Sequence, residues 1–317
     1  MKAVFLDYGT MGSGLDLAPL EALVDELVVY DTTSGDELVE RIRGANIVFT
    51  NKMRFTSDVL AAAPDLKYIG LTATGTDNID LDGARAAGVT VSNIRAYCTS
   101  SVAEHVFGVL LMLTHRLDVY NRFTRAGGWQ EADDFCPLRW PISELSGKTL
   151  GIVGYGELGR GVARLGEAFG MRIIVAARAG SDSIPDDRMS LETLLTESDV
   201  VSLHCPLNDA TRELIGHREL ALMKPAAILV NTARGGLIDS AALAKALADG
   251  VIAAAAIDVL PVEPPKNGDP LLDYDGDNLV VTPHIAWGTT EARQAAIDQL
   301  AENAEAFLNG APRNQVG

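Results

Sequence analysis

The chain has 317 residues, 47% hydrophobic and 22% charged, a balance suited to a folded globular protein with length enough for two cores. Its formal charge of -17, from 26 basic and 43 acidic side chains, argues against nucleic acid or an anionic membrane as a partner, because both attract basic surfaces. Cys98, Cys136 and Cys205 stand far apart with no C-x-x-C pair, which suggests free thiols and neither a zinc ribbon nor a redox dithiol.

The N-terminus "MKAVFLDYGT" carries one lysine and a short apolar run broken by Asp7, too short for a signal-peptide core. Strands are predicted in chain order at "KAVFLD", "ELVVY", "NIVFT", "LKYIGLTA" and "VTVSN". The apolar stretch "VFGVLLMLTH" from Val106 belongs to a linking helix and falls short of the ~20 residues that cross a bilayer. The cytoplasm is therefore the expected location. Residues 118–147 mix aromatics, Gly-Gly, Pro and charges without a clear period, and are expected to form a long loop such as a lid or an oligomer arm. Six more strands follow at "TLGIVG", "RIIVAA", "DVVSLHC", "AILVNTA", "AAAAIDV" and "NLVVTP", and the helical tail is "TTEARQAAIDQLAENAEAFLNG". Continuous apolar strands alternating with helices imply parallel sheets covered on both faces, an α/β chain of doubly wound domains. The glycine-rich unit begins only halfway along, so a nucleotide domain is expected to be inserted into another α/β domain.

That unit, "GIVGYGELGRGVARLGEAFG", sets Gly154, Gly156 and Gly159 in G-x-G-x-x-G spacing, with Glu157 and Leu158 between the last two. The glycines allow a tight turn, close approach to a pyrophosphate and close helix–strand packing, while the helix start favours a phosphate. The motif alone is weak; a strand before it and "RIIVAA" after it supply the context it needs. An acidic residue about 20 positions later would bind the ribose of NAD and repel a 2′-phosphate. Here Ala177-Arg178 occupies that place. Arg178 offers a fork of donors to a phosphate and Ser181 a hydroxyl, so NADP(H) is expected over NAD(H), which stays the alternative. An Arg178 pointing into solvent is the competing reading, and Asp182 nearby tempers the case.

Three later motifs, "NTARGGLID", "AIDVLPVEP" and "TPHIAW", join the glycine turn, "TATGTDNID" and "SVAEH". Together, over essentially the whole chain, they resemble the D-isomer-specific 2-hydroxyacid dehydrogenases. "NKMRFTSDVL", "LTATGTDNID" and "PHIAWGT" look most like the glycerate dehydrogenases, or hydroxypyruvate and glyoxylate reductases, within that family. The resemblance implies a Rossmann dinucleotide-binding domain, residues 101–285, inserted into a flavodoxin-like substrate domain, residues 1–100 plus 286–317. It also implies a homodimer involving "RAGGWQ" and the linking helix.

The chemistry follows from residue types as well. Reducing a 2-keto acid needs a carboxylate anchor, a proton donor to the carbonyl oxygen and a hydride donor. Arg234, after an apolar strand and before Gly235-Gly236, can pair with the carboxylate and polarise the carbonyl. His284, at another strand end, can donate and accept a proton near neutral pH. Glu263 can hold the other ring nitrogen and favour the charged imidazole. A surface arginine and a satisfied core histidine are the bland alternatives, and the family resemblance implies the same trio. His105, His115, His204 and His217 are read as structural, and no metal site is expected.

By resemblance, Asp258 and the Ala233 backbone would bond the nicotinamide carboxamide, with Thr232 beside them. Cys205-Pro206 would pass the adenosine as lining. Backbone N–H groups of Thr74, Gly75 and Thr76 could form a nest for the substrate carboxylate, placing catalysis between the domains. Trp287 either shapes the substrate pocket or merely packs. Formate dehydrogenases resemble the fold but lack the glutamate. D-3-phosphoglycerate and D-lactate types remain alternative substrates, phosphoglycerate enzymes often carrying an extra regulatory domain for which this length leaves no room. From other classes, a non-catalytic NAD(H) sensor is weakened by the intact trio, and an S-adenosylmethionine enzyme leaves that trio unexplained.

Overall fold

The apolar runs form strands β1 (Lys2–Phe5), β2 (Glu26–Val29), β3 (Ile47–Thr50), β4 (Tyr68–Leu71), β5 (Thr90–Ser92), β6 (Thr149–Val153), β7 (Arg172–Val175), β8 (Val200–Leu203), β9 (Ile228–Asn231), β10 (Ala254–Ile257) and β11 (Leu279–Val281). Every residue of β3, β4, β6, β8, β9 and β10 is buried. Burial on both faces is why these strands read as unbroken apolar runs without alternation. The computed structural model describes residues 1–317 except Asp182, so the acidic neighbour weighed against Arg178 lies outside the described residues. The chain divides into two compact units, Met1–Cys98 with Gly288–Gly317, and Thr99–Trp287.

In the first unit the sheet runs β2-β1-β3-β4-β5, all parallel, the flavodoxin-like order. A further strand, β12 (Gln315–Val316), pairs antiparallel with β5. Two residues carry no periodicity, so the sequence gives no sign of it. Val4, Leu6, Val48, Ile69 and Leu71 centre one buried core. Buried Asp7 lies just past the end of β1, and its carboxylate accepts the amides of Asn51 at 2.9 Å and Lys52 at 2.6 Å. The tail forms the helix Thr290–Leu308, whose first turn Thr289 caps by accepting the Ala292 amide.

The second unit has the parallel order β7-β6-β8-β9-β10-β11. Beyond β7, one bridge joins Ala176 to Met189, through Ala177 N–H to Met189 O at 2.7 Å and Met189 N–H to Val175 O at 3.1 Å. Counting that vestigial third strand, the order becomes 3-2-1-4-5-6-7, the Rossmann winding extended by one strand, with its reversal between β6 and β8. The linking helix Thr99–Thr114 packs on the helix Glu157–Ala168. A Cβ on Gly161 would come within 2.5 Å of the Thr99 methyl, so glycine sets their approach.

The expected loop over 118–147 is corrected at its start. Leu117–Arg125 is helical, with Asp118 and Arg122 paired four residues apart at 3.1 Å. No residue of this helix is fully buried, and its apolar face is a short one of half-buried Val119, Tyr120 and Phe123. Phe123 and Tyr120 pack edge-on to the Trp140 ring, centroids 5.5 and 5.1 Å away. The Tyr120 hydroxyl donates to Trp140 O at 2.8 Å and accepts the Trp140 N–H at 3.0 Å.

Candidate active site

Gly154 follows β6 at φ +98°, where a Cβ would lie 2.4 Å from the Cys205 amide nitrogen. The loops after β6 and β8 therefore touch at the topological switch point, where ligands of open α/β sheets bind. A Cβ on Gly159 would meet Gly154 O at 2.1 Å, whereas one on Gly156 would meet nothing within 4 Å. The first and third glycines are required by packing and the second leaves an open face. Gly156 caps the helix Glu157–Ala168 with no side-chain hydrogen bond, so the first-turn N–H groups, Leu158 included, can face a phosphate. The Glu157 carboxylate is drawn aside, accepting from Thr99 Oγ1 at 3.2 Å and lying 3.6 Å from Arg160.

Beside this turn lies a cavity of about 630 Å³. Arg178, Ser181, Cys205 and Pro206 line it as expected of cofactor-binding residues, and so do Arg188 and His204. Sequence reasoning passed over Arg188 and read His204 as structural only. Arg188 sits ten residues beyond Arg178 and reaches the cavity only through the Ala176–Met189 bridge. His204 Nε2 pairs with Ser202 Oγ at 2.8 Å, while Nδ1 is buried and has no partner among the described residues. Burial pushes its pKa down to about 4, so the ring is neutral at pH 7. Thr232 Oγ1 is likewise buried and unpartnered. Open glycine backbone, an uncapped helix start and two orphaned polar atoms beside the sheet's carboxyl edge fit a dinucleotide. Burial pushes the Cys98 and Cys205 thiols up to about 11, so neither is a nucleophile at neutral pH.

The trio stands just past the carboxyl ends of three neighbouring strands, β9, β10 and β11. Arg234 follows β9, its turn shaped by Asn231: Nδ2 donates to Arg234 O at 2.9 Å and Oδ1 accepts the Ala233 amide at 3.0 Å. A Cβ on Gly235 would collide with the Leu260 backbone at 2.0 Å. Glycine there lets the Arg234 turn pack against the segment leading to Glu263. Glu263 Oε1 accepts the Leu260 amide at 3.0 Å, and Oε2 lies 2.7 Å from His284 Nδ1. The carboxylate fixes the ring orientation and occupies Nδ1, so any proton exchanged with a ligand would have to pass through Nε2.

His284 sits at φ +56°, a backbone region most side chains avoid. Asp258, 2% exposed at the end of β10, holds it there. Its carboxylate accepts the amides of Ile285 and Ala286, each at 2.9 Å, and the Thr282 hydroxyl at 2.5 Å. A carboxylate has about four acceptor positions, so these three donors take most of its capacity. The linking helix supports the same turn: Ser101 Oγ donates to Ala286 O at 2.6 Å, and His105 Nε2 lies 3.3 Å from Thr282 Oγ1. "SVAEH" thus places residues 101 and 105 on one helical face toward the histidine turn, a role for His105 beyond the bland one expected.

In the first unit, Thr74, Gly75 and Thr76 follow β4. Thr74 Oγ1 donates to Ile94 O at 2.9 Å, and Thr74 O accepts from Asn93 Nδ2 at 2.7 Å. Trp287 is half-buried, next to the Ala286 that Asp258 anchors. Among the described residues, no cluster of His, Cys, Asp or Glu could hold a metal ion, and no helix is long and apolar enough to cross a membrane.

Residues 107–286 match the family model described as D-isomer specific 2-hydroxyacid dehydrogenase, NAD binding domain. A glycerate dehydrogenase of Methylorubrum extorquens is 46% identical over 318 residues, covering 99% of this chain and 98% of its own. A hydroxypyruvate reductase of Blautia hydrogenotrophica is 36% identical, covering 100% and 99%. Among solved structures, the acyclic imino acid reductase Bsp5, in complex with NADPH and D-Arg, superposes with a TM-score of 0.87 at 29% identity, over the full length of both chains. With the glycine turn, the strand-end arginine and the paired imidazole and carboxylate in place, the chain belongs to the D-isomer specific 2-hydroxyacid dehydrogenase family and is a nicotinamide-dependent reductase of small 2-keto acids.

Proposed function

We propose that this enzyme reduces hydroxypyruvate to D-glycerate and glyoxylate to glycolate, in the cytoplasm, with NADPH preferred over NADH, and catalyses the reverse oxidation. The observation that carries the chemistry is the 2.7 Å pairing of His284 Nδ1 with Glu263 Oε2 at the carboxyl edge of the nucleotide-binding sheet. When bound, the reduced nicotinamide supplies a hydride to C2 of the keto acid. His284 Nε2 gives its proton to the carbonyl oxygen, and Glu263 stabilises the charged ring before that transfer. Arg234 pairs with the substrate carboxylate and draws electron density from the carbonyl. Amides of residues 74–76 take the same carboxylate, Trp287 limits substrate size, and Asp258 with the Ala233 backbone orients the carboxamide.

The relatives named as a glycerate dehydrogenase and a hydroxypyruvate reductase support the substrate choice over the D-lactate and D-3-phosphoglycerate types. The cavity supports the cofactor choice. Arg178 and Arg188 are its charged lining residues and, among the described residues, no Asp or Glu lines it. In a chain of net charge -17 that local excess of cations suits the more anionic cofactor. Exposed Leu117, Trp129, Phe135, Leu138 and Ile142 on one segment support a homodimer, since large apolar patches mark association surfaces.

Initial rates with hydroxypyruvate, glyoxylate, pyruvate and 3-phosphohydroxypyruvate, each with NADPH and NADH, test the proposal. The highest kcat/KM should fall on hydroxypyruvate or glyoxylate with NADPH. A preference for pyruvate or the phosphorylated acid refutes the substrate choice, and tight cofactor binding without turnover points to a sensor.

A further inference from the structure

Arg188 lies outside the segment in which a ribose-recognising residue is ordinarily sought, directly after the second strand of the nucleotide fold. The parallel bridge between Ala176 and Met189 brings the chain back along the edge of β7, so residue 188 comes beside Val175 and its side chain lines the same cavity as Arg178. Its guanidinium carbon stands 4.8 Å from the centroid of Tyr155, the residue between the first two glycines. Nη1 donates to the Asp187 carboxylate at 2.6 Å and to Asp187 O at 3.1 Å. Nε and Nη2 have no partner among the described residues. The Asp187 carboxylate is 71% exposed, and a pair with so exposed a partner is weak and readily exchanged for another anion. A planar guanidinium lying on an aromatic face, with unused donors along one edge, is suited to a phosphate in a way a lysine is not.

We propose that Arg188 is a second determinant of cofactor specificity, which uses its free edge to bind the 2′-phosphate of the adenosine while Tyr155 holds its plane. It acts together with Arg178, and the inference rests on the cofactor preference proposed above. Two forks around one phosphate explain how a chain of strongly acidic balance concentrates a ligand carrying an extra dianionic group. Asp187 keeps the guanidinium in place when no phosphate is present.

Direct binding to the full-length enzyme tests this, with Kd measured for NADPH, NADH, adenosine 2′,5′-bisphosphate and AMP in the wild type, Arg188→Ala, Arg188→Lys and Arg178→Ala. Arg188→Ala should reduce the discrimination between adenosine 2′,5′-bisphosphate and AMP by about tenfold, the loss of one charge-assisted contact. Arg188→Lys should recover only part of it, because it restores charge without the fork. Discrimination within twofold of wild type, or equal weakening of both ligands, would overturn the assignment and leave Arg188 a packing residue. Loss of discrimination in Arg178→Ala alone refutes the role of Arg188 while the cofactor preference stands. A wild type with no discrimination, unchanged in every variant, refutes both.

Discussion

Asp258 and His284 are joined through the main chain. The His284 amide donates to Asp258 O at 2.7 Å, while the Asp258 carboxylate accepts the next two amides. The left-handed conformation of His284 is thus held by a buried carboxylate on the neighbouring strand end and not by its own local preference. Asp258→Asn replaces an acceptor of two amides and a hydroxyl by a group with one acceptor oxygen. The expected result is a kcat lowered by about tenfold to a hundredfold and a lower Tm, since each hydrogen bond to a charged group contributes about 1.5–3 kcal/mol. Steady-state kinetics and thermal unfolding on one preparation check it, and unaltered turnover would show that the turn holds itself.

His284→Ala removes the proposed proton donor and should lower kcat by about two to four orders of magnitude, the range ascribed to general acid–base catalysis. NADPH binding, followed by nucleotide fluorescence, should be retained because the cavity that holds Arg178 is not altered. Near-normal turnover in this variant defeats the proposed chemistry.

Two of the turn glycines separate folding from binding. Gly154→Ala combines φ +98° with a Cβ 2.4 Å from backbone, and should destabilise the unit by about 2–5 kcal/mol. Gly156→Ala meets nothing within 4 Å and has φ -77°, so Tm should hold while cofactor Kd rises by about tenfold or more, as the methyl occupies the phosphate approach. Chemical denaturation and cofactor titration of the pair distinguish the two effects, and a Gly156→Ala enzyme with wild-type affinity would show that the pyrophosphate lies elsewhere.

His204 makes a pH-dependent contribution to stability. Its folded pKa, depressed by burial to about 4, lies below the unfolded value of about 6.5. Above pH 6.5 neither state binds the proton. As pH falls from 6.5 to 4 the unfolded chain takes it up and the folded chain does not, so stability declines through that window by roughly 3 kcal/mol. His204→Gln keeps a side-chain donor toward Ser202 without a titrating ring. Urea midpoints at pH 7 and pH 4.5 should therefore diverge less in the variant than in the wild type, and equal differences would remove His204 from the acid response.

The glycine turn, the strands and the chemical types of Arg234, Glu263 and His284 were legible in the chain itself. A doubly buried strand must be an apolar run, a turn beneath a helix start must be glycine, and general acid chemistry must use a titratable group. The helix Leu117–Arg125 was missed because its apolar face is short, with Val119, Tyr120 and Phe123 only half-buried, and it runs straight into an irregular stretch rich in glycine, proline and aromatics. So were β12, Arg188, and the grip of Ser101 and His105 on the histidine turn. Each depends on which backbone segment lies beside which: a one-residue bridge at Met189, a two-residue antiparallel pairing at Gln315, a helix face turned toward Ala286. Sequence alone determined which groups this protein has for its chemistry, because composition and local periodicity reflect burial and covalent neighbours. Only tertiary structure decided which of them meet, because strand register and helix packing are set by the whole core and no short stretch encodes them.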